Sequence, residues 1–508
     1  GTIRAGSAGG TAGASSAGSA GGAISLASAQ LSLGDVAGIT GIDTGLVLSN
    51  ADLAAYGALD SLTLKGYGGI DFYGSTLLGS TALKQLTLDT AALRGRPGAS
   101  ATPAASTVQA QSITLSNASG LSGPAAGPGQ GSLTLSGQVI TSGAGDKSIS
   151  GWSAVNTVAS AEIVGAGSGS LSVAADWALQ AQRLRGESGA NQVWSARDAS
   201  VPGPAGFKPL RVAAATAPSA LAADTALGAR LTLEGQRVEL DTTVQALSGR
   251  VTVAARGTGP GSDVMLGAQA RIDVRGAVKD FNGAVAVADA GEVTLLAAMN
   301  GGKVAVASGA RIDVSAGTAT GNAGTFRVAA AGLTVAGDVL GAAGMSSTAG
   351  TQARSGSADI DLGGWVGAAG FSGLNSVLNA GGFAESRSLR LRSGAIDVAA
   401  TVAARDVSLA ADAGRVTVAG TVGTGSPGRG AAIGLYGGAG VTLARGSRVQ
   451  ADGRADSAPG GDVRIVAHGG ALNFDDGALI DVSKGLGGQT GSVTLTMARD
   501  SANVLPAK

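Results

Sequence analysis

Short triplets of the pattern apolar, polar, apolar recur along this chain and are separated by Gly, Asn, Asp and Ser. Alternation with a period of two is typical of β-strands, and the separating residues are those that form tight turns. Helical periodicity is nearly absent, and we expect a short helix only near residues 372–380. The pattern therefore predicts an all-β chain.

The spacing of the triplets is regular in the middle of the chain, where they fall into two interleaved series. The triplets of one series begin at Val264, Val285, Val304 and Phe326. Those of the second series begin at Val251, Ile272, Val293, Ile312 and Leu333. Successive members of each series are about 20 residues apart, and a period of this size indicates a solenoid. We therefore expect the second series to form one inward-facing stack.

A five-residue motif, Ala-Arg-Ile-Asp-Val, stands at residues 270–274 and returns at 310–314, with variants at 394–398 and 478–482. One coil buries only a handful of Val, Ile or Leu side chains, at ~1.5–3 kcal/mol each. Ordering its backbone costs more, about 1–2 kcal/mol per residue, so a coil is stable only within a stack. Connections between parallel strands are right-handed in nearly all cases. The repeat predicts a right-handed parallel β-helix of about 20 residues per coil, with loop excursions.

The regular pattern is interrupted at several points. Residues 199–220 carry four prolines, and a proline removes a hydrogen-bond donor from a central strand. Residues 341–388 break the repeat. The predicted segments are a Gly/Ser/Ala-rich loop or linker (1–23), coils with loops (24–198), a Pro-rich excursion (199–220), regular coils (221–340), an irregular insertion (341–388) and further coils (389–508).

Composition narrows the function classes. Gly accounts for 87 of the 508 residues and aromatic residues for 3%, so a core must be built mainly from Ala, Val, Leu and Ile. Lys plus Arg and Asp plus Glu number 35 each, which leaves no net positive charge to attract nucleic acid. The absence of cysteine excludes disulfides, thiolate metal sites and cysteine nucleophiles. No apolar run reaches the ~20 residues of a membrane span.

Residues 62–74, with the sequence LTLKGYGGIDFYG, and the strands with Ile-Asp-Val resemble the filamentous haemagglutinin family. The resemblance is one of pattern and covers essentially the whole chain. That family comprises exported β-helical adhesins of Gram-negative bacteria, many of which use two-partner secretion. The chain has no match to the family's N-terminal secretion domain and starts at Gly1 without a signal peptide. We therefore expect a processed or internal piece of the shaft.

The resemblance implies an extracellular protein on the bacterial cell surface. Its function would be attachment, or presentation of a distal effector domain. The implied partners are a host cell, a surface or a neighbouring bacterial cell, and an outer-membrane transporter during export. Lateral self-association of rods is a further implied interaction.

The sequence offers no constellation of catalytic, cofactor-binding or metal-binding residues, so we expect a protein that is not an enzyme. His468, the only histidine, is expected in a surface turn. The alternative is a β-helical polysaccharide lyase or glycoside hydrolase, because such enzymes place carboxylates on successive coils and inverting pairs lie about 6.5–9.5 Å apart. Alternation directs Asp273, Asp313, Asp397 and Asp481 of the repeated motif away from the core. The first two are two coils apart and the coil between them offers Thr294 instead of a second acid, so we favour a solvated outer face.

Recognition is expected where the chain leaves the regular stack, because loops on rigid scaffolds carry function and long irregular insertions are usually functional. The irregular insertion 341–388 and the Pro-rich excursion 199–220 are the two candidates. Trp365, Phe371 and Phe383 are the candidate partner-binding anchors. The alternative is that these aromatic side chains merely cover one apolar flank of the coils.

Overall fold

The computed structural model describes residues 21–42, 44–98, 104–123, 127–317, 320–345, 352–424 and 430–498. Regular structure in these ranges is nearly all β, with 45 strands, two short α-helices and one 3-10 helix. Residues 1–20 of the expected linker lie outside the described residues. No helix in the described ranges has the length and apolarity that a bilayer crossing requires.

Tertiary contacts divide the chain into two compact units. The first unit contains Gly1–Ala246, Val251–Thr258 and Gln269–Arg271. The second unit contains Leu247–Arg250, Gly259–Ala268 and Ile272–Lys508.

The strands are short, and the two α-helices are α1 (Asn50–Ala54) and α2 (Gly370–Ala380). Up to Ala255 the strands are β1 (Ala23–Ser28), β2 (Leu31–Gly34), β3 (Leu46–Ser49), β4 (Ser61–Gly66), β5 (Ile70–Tyr73), β6 (Leu77–Gly79), β7 (Gln85–Thr90), β8 (Ala92–Arg96), β9 (Ala105–Gln109), β10 (Ser112–Ser116), β11 (Ser132–Ser142), β12 (Gly145–Ser150), β13 (Ala154–Gly165), β14 (Ser168–Val173), β15 (Asp176–Gln180), β16 (Arg183–Gly186), β17 (Asn191–Ala196), β18 (Leu210–Ala213), β19 (Arg230–Gly235), β20 (Val238–Asp241), β21 (Thr243–Gln245) and β22 (Arg250–Ala255). The later strands are β23 (Val264–Leu266), β24 (Arg271–Asp273), β25 (Ala277–Phe281), β26 (Ala284–Ala288), β27 (Glu292–Leu296), β28 (Lys303–Val306), β29 (Arg311–Asp313), β30 (Thr325–Ala330), β31 (Gly332–Val335), β32 (Asp338–Leu340), β33 (Ser357–Leu362), β34 (Ser386–Leu391), β35 (Ile396–Val398), β36 (Asp406–Ala411), β37 (Val416–Val418), β38 (Thr421–Val422), β39 (Ala432–Gly437), β40 (Val441–Leu443), β41 (Arg448–Gln450), β42 (Asp462–Ala467), β43 (Leu472–Phe474), β44 (Leu479–Asp481) and β45 (Ser492–Met497).

Strands of the first unit pair in parallel with earlier and later strands of the same unit. Leu62 of β4 is the partner of Leu86 of β7, and Leu86 is in turn the partner of Ile113 of β10. Ile70 of β5 is the partner of Leu93 of β8. All five side chains are buried. The apolar positions of the triplets therefore face the core, as the alternation predicts.

The Pro-rich segment 199–220 is only partly an excursion. It contains the 3-10 helix Gly203–Gly206 and strand β18, which pairs in parallel with β15 and with β20. Leu210 and Val212 of β18 are buried. None of the four prolines falls inside β18, so the strand keeps all of its backbone donors. The expectation that the whole segment leaves the stack is wrong for Leu210–Ala213.

One parallel ladder, called ladder I here, runs through the second unit. Its strands are β27, β30, β33, β34, β36, β39, β42 and β45. In β30, Phe326 and Val328 are buried whereas Arg327 between them is exposed. Partner residues in successive strands are separated by unequal lengths of chain, because the segments between the strands differ in length.

Two further ladders contain the strands that follow most strands of ladder I, β33 being an exception. In ladder II β23 pairs with β28 and β28 with β31, and in ladder III β29 pairs with β32. After α2, strands β35, β37, β40 and β43 take the place of ladder II in chain order. Strands β38, β41 and β44 take that of ladder III. One passage of the chain through the three ladders is called a circuit.

The expected stack of Val251, Ile272, Val293, Ile312 and Leu333 is wrong, although all five are buried. Val293 is the partner of Phe326 in ladder I, Ile312 of Val339 in ladder III, and Leu333 of Val304 in ladder II. The two partners of each pair are further apart in the sequence than the length of the expected coil. A circuit carries three triplets, and between Val293 and Leu333 the circuits are long enough that triplets about 20 residues apart fall on different ladders.

Val285, a member of the other series of triplets, lies in an antiparallel hairpin formed by β25 and β26 and not in a parallel ladder. Val278 and Val285 are 46% and 63% exposed, so these two side chains lie outside the core. Its turn contains Asn282 and Gly283 at φ 54° and 92°, conformations that this pair of residues favours in two-residue hairpin turns. The hairpin is therefore a protrusion between β24 and β27.

A candidate binding slot beside helix α2

The segment 341–388 keeps one strand in the ladders and replaces two others with a helix. Within it, β33 pairs in parallel with β30 and β34, so the expectation of an insertion that is irregular throughout is wrong. Between β33 and β34 the chain forms α2 instead of strands of ladders II and III. The helix predicted near 372–380 is thereby confirmed, at Gly370–Ala380.

Helix α2 depends on its surroundings. It has two glycines and no side-chain cap at its N-terminus, and a helix this short is marginal without tertiary packing. Its buried residues are Phe371, Leu374, Asn375 and Leu378, which form one face. At its C-terminus, Gly341 N donates to Gly381 O at 2.7 Å. The helix is therefore attached to the loop that follows ladder III.

Arg387 fastens α2 from inside the core. It occupies an inward position of β34, between Ala358 and Val407 of the neighbouring strands, and is buried. Its Nε donates to Phe383 O at 2.7 Å and its Nη1 to Asn375 Oδ1 at 2.9 Å. Burial lowers the pKa of Arg387 to about 10. Sequence reasoning missed this residue, and the available signal was a charge at an inward position of the alternating segment SRSLRL.

The three aromatic residues expected to bind a partner are not equally accessible. Phe383 is fully buried, with its ring centroid 6.3 Å from that of Phe326. Phe371 is also buried and lies edge-on to Trp365, with 6.4 Å between the ring centroids. Trp365 is half-buried, and its indole N–H donates to Ala395 O at 2.8 Å. Phe371 and Phe383 are therefore core residues. Of the three candidate anchors, only Trp365 is partly exposed and could contact a partner.

Trp365 forms one wall of a cavity of about 180 Å³ at the end of ladder II. Strand β31 forms the opposite wall, with Leu333 and the residues up to Ala336. Val366, Leu362 and the first turn of α2 complete a mostly apolar lining. This cavity, called the slot here, lies where ladder II is interrupted.

The repeated Ile-Asp-Val motif has a structural explanation. In ladder III strands, the aspartate Oδ1 accepts a hydrogen bond from the backbone N–H two residues later: Arg275 for Asp273, Ser315 for Asp313 and Ser483 for Asp481. This is the Asx turn, which stabilises a reversal of the chain. Asp397 lies in ladder II and is exposed. The motif thus marks the turn that leaves ladder III.

Asp273 and Asp313 are closer together than the sequence indicated. Val274 N donates to Asp313 O at 3.0 Å, so the two residues lie on adjacent strands instead of two coils apart. Burial raises the pKa of Asp273, and this effect is larger than that of the positive charge of Arg275, which lowers it. Burial acts in the same direction on Asp313, but hydrogen bonds from Ser315 and Arg311 outweigh it and lower the pKa.

Asp313 is not on a solvated face as expected, because the residue is only 4% exposed. Its Oδ1 accepts from the Ser315 hydroxyl at 2.6 Å and its Oδ2 from Arg311 Nη2 at 2.7 Å.

His468 is exposed in the bend that follows β42. His, Asp and Glu side chains of the described ranges do not gather in any group of three that could hold a metal ion.

Comparison with known proteins adds no relative. No family model, no curated protein and no solved structure matches the chain.

Proposed function

We propose that the chain is a shaft segment of a secreted bacterial surface adhesin, folded as a right-handed parallel β-helix with circuits of unequal length. Such a shaft carries attachment surfaces, or a distal effector domain, away from the cell that exports it. The pattern that resembles the filamentous haemagglutinin family, in residues 62–74 and in the Ile-Asp-Val strands, supports this proposal.

The observation that carries the proposal is the parallel ladder. Ladder I brings eight strands of the second unit into one parallel series, and β4, β7 and β10 of the first unit pair in the same way. Each strand covers the apolar face of the one before it: Ile465 of β42 is fully buried, whereas its partner Leu495 of β45 is 49% exposed. Stability that grows by stacking suits an extended scaffold.

The hairpin of β25 and β26 supplies surface relief on this scaffold. The hairpin presents the apolar side chains of Val278 and Val285 to solvent. Exposed apolar side chains on a protrusion are suited to contact with a partner. The hairpin is therefore the proposed attachment surface of this segment.

Location and attachment can be tested together on the bacterium that makes the protein. Antibody fragments raised against the purified chain should label intact cells and reduce their attachment to a surface. Fragments raised against a periplasmic protein of the same cells are the matched control. Labelling only after lysis would contradict the proposal.

The rival function is a β-helical polysaccharide lyase or glycoside hydrolase. The observation that favours it is the pair Asp273 and Asp313, since environments that move two carboxyl pKa values apart often mark an acid and a base. Adjacent strands lie about 4.8 Å apart, which is below the spacing of inverting pairs. The accepting oxygens of Asp313 are already occupied by Ser315 and Arg311. Release of reducing ends from a polysaccharide panel, lost in both Asp273→Asn and Asp313→Asn, would support the rival.

A further inference from the structure

We propose that the slot is a binding site for an extended segment of another polypeptide, which adds to the free edge of β31 as a parallel strand. The partner chemistry is a triplet of apolar, polar and apolar residues with an unblocked backbone. The proposal does not depend on export or adhesion.

Ladder II lacks one strand at this point. Strand β31 follows β30, and β35 follows β34, whereas ladder I has the additional strand β33 between them. In the described range 352–424, the chain enters α2 after β33 and forms no strand of ladder II before β34. Strand β35 pairs with β37 and, among the described strands, with no earlier strand of ladder II.

The chain itself fills only the beginning of this gap. Gly364 N donates to Ala331 O at 2.9 Å, and a Cβ at Gly332 would collide with a methyl carbon of Val366. Beyond Val366 the chain turns away into α2, and the edge from Leu333 to Ala336 faces the slot. The cavity is small against the ~300–1,000 Å³ of drug-sized pockets, which fits a few residues of a single strand.

The backbone of β31 has groups free for such a strand. Ala336 N donates to Val306 O, which belongs to β28. Alternate residues of a parallel strand direct their N–H and C=O groups to opposite sides, so those of Leu333 and Val335 point into the slot. Among the described strands, β31 pairs only with β28. An unpaired strand edge is a template for another strand.

The established ladder shows what the occupant must look like. Val264, Val304 and Leu333 are successive partners in ladder II, and Leu266, Val306 and Val335 are the next such set. All of these positions are apolar, with Met265, Ala305 and Thr334 between them. A strand that continues the ladder therefore places two apolar side chains on the inward side, where Trp365 and Leu374 line the slot.

The probe is an acetylated and amidated peptide, Val-Thr-Val-Ala-Gly, which copies residues 416–420 and hence a ladder II strand without the two residues that Gly364 and Val366 would block. We expect saturable binding to the full chain by calorimetry. Amide hydrogen exchange at Leu333 and Val335 should slow by about tenfold or more when the peptide is bound. The same peptide N-methylated at its three central residues should not bind.

Two variants locate the site. Ala369→Phe fills the slot, which Ala369 lines, and should abolish binding. Ala368→Phe changes an exposed neighbour that does not line the slot and should bind as the unmodified chain does. Circular dichroism checks that both variants are folded.

Four outcomes would overturn the proposal. Absence of saturable binding to the folded chain removes the site, and equal binding by Ala369→Phe moves it elsewhere. Equal binding of the N-methylated peptide makes the slot a pocket for apolar groups and not a strand edge. Self-association without peptide that disappears in Ala369→Phe makes a second copy of this chain the occupant.

Discussion

Two buried cations are held by neutral oxygen atoms. Lys147, at an inward position of β12, donates from Nζ to Gly143 O and to Gly145 O, both at 2.6 Å. Burial lowers its pKa to about 8, although the nearby Asp146 acts in the opposite direction. Arg387 is held in the same way by Phe383 O and Asn375 Oδ1. At both sites burial in the folded state disfavours the charged form of the side chain. The free energy of unfolding therefore depends on pH through these two residues.

We predict that the unmodified chain gains stability relative to Lys147→Met as pH rises from 7 to 10. The pKa falls from 10.5 to about 8 on folding. The penalty of up to about 3 kcal/mol is fully present below pH 8 and disappears as pH rises toward 10.5. Denaturant titrations of both proteins at pH 7 and pH 10 measure it. An equal difference at both pH values would contradict the pKa assignment.

Arg387→Met should loosen α2 and leave ladder I intact. The substitution leaves Asn375 Oδ1 and Phe383 O without their donor, and each unsatisfied buried group costs about 1–3 kcal/mol. Hydrogen exchange should accelerate in Gly370–Ala380 far more than in β36. The matched control is Arg390→Met on the same strand, because Arg390 is exposed and its ion pair with Asp412 contributes about 1 kcal/mol or less. Equal effects of the two substitutions would refute the role of Arg387.

Ile312→Asp should unfold several circuits, since it buries a charge without a partner. Asp313→Ala should destabilise less, by about 1–3 kcal/mol, through loss of the hydrogen bonds from Ser315 and Arg311. The lowered pKa of Asp313 means that its contribution is present above about pH 4 and is lost as pH falls further. Asp397→Ala, at an exposed motif position, is the control. Thermal melts that rank Asp397→Ala with Asp313→Ala would show that the Asx turn does not matter.

At the scale of elements, the hairpin and helix α2 are opposite kinds of departure from the ladders. Helix α2 is part of the core, since Phe371, Leu374 and Leu378 are buried. Deletion of residues 345–385 would also remove β33 and Phe383, and with them one strand of ladder I. The hairpin has exposed valines and no partner strand outside itself among the described residues. It is therefore the element whose removal separates attachment from folding.

We predict that replacing residues 278–287 by a short Gly/Ser link leaves the ladders folded and weakens attachment of the cells. The ends are already fixed, because Gly276 N donates to Ser315 O and Ala290 N to Asn322 O, both at 3.0 Å. The melting temperature should change by no more than about 2–4 °C, the equivalent of ~1 kcal/mol. Val278→Ser with Val285→Ser is the milder variant. Unchanged attachment with both variants would remove the hairpin from the proposed function.

At the scale of the whole molecule, the cost of a substitution depends on how completely the next strand covers the site. Val463 of β42 and Val493 of β45 are partners in ladder I, yet they are 1% and 42% exposed. Both positions hold a valine at the same register of the ladder. They differ because β45 lies over Val463, whereas Val493 is largely uncovered. Comparison between them isolates the contribution of stacking from that of the strand itself.

Val463→Asp should therefore destabilise the second unit by more than about 3 kcal/mol, whereas Val493→Asp should cost about 1 kcal/mol or less. Denaturant melts of the two variants, with Thr494→Asp as an outward control, make the comparison. A large loss for Val493→Asp would mean that β45 is covered in solution.

The sequence by itself determined most of the strands and most of the apolar side chains that face inward. Alternation alone identified Val293, Ile312 and Leu333 as core residues, because the side-chain period of a strand does not depend on which strand lies next to it. The parallel arrangement was also predictable, since a short repeat of triplets has few other ways to bury its apolar face. The short helix near α2 was visible in the same pattern.

Only the tertiary structure decided which triplets are partners. Triplets are alike in all three ladders, and the segments between them vary in length, so sequence spacing could not tell that Ile312 lies beside Val339. The same holds for Val285, whose triplet forms a hairpin. Buried charges such as Arg387 are stabilised by oxygen atoms on segments brought together by the fold. The free edge of β31 exists because a helix, and not a strand, follows β33, and that choice depends on packing that no local pattern records.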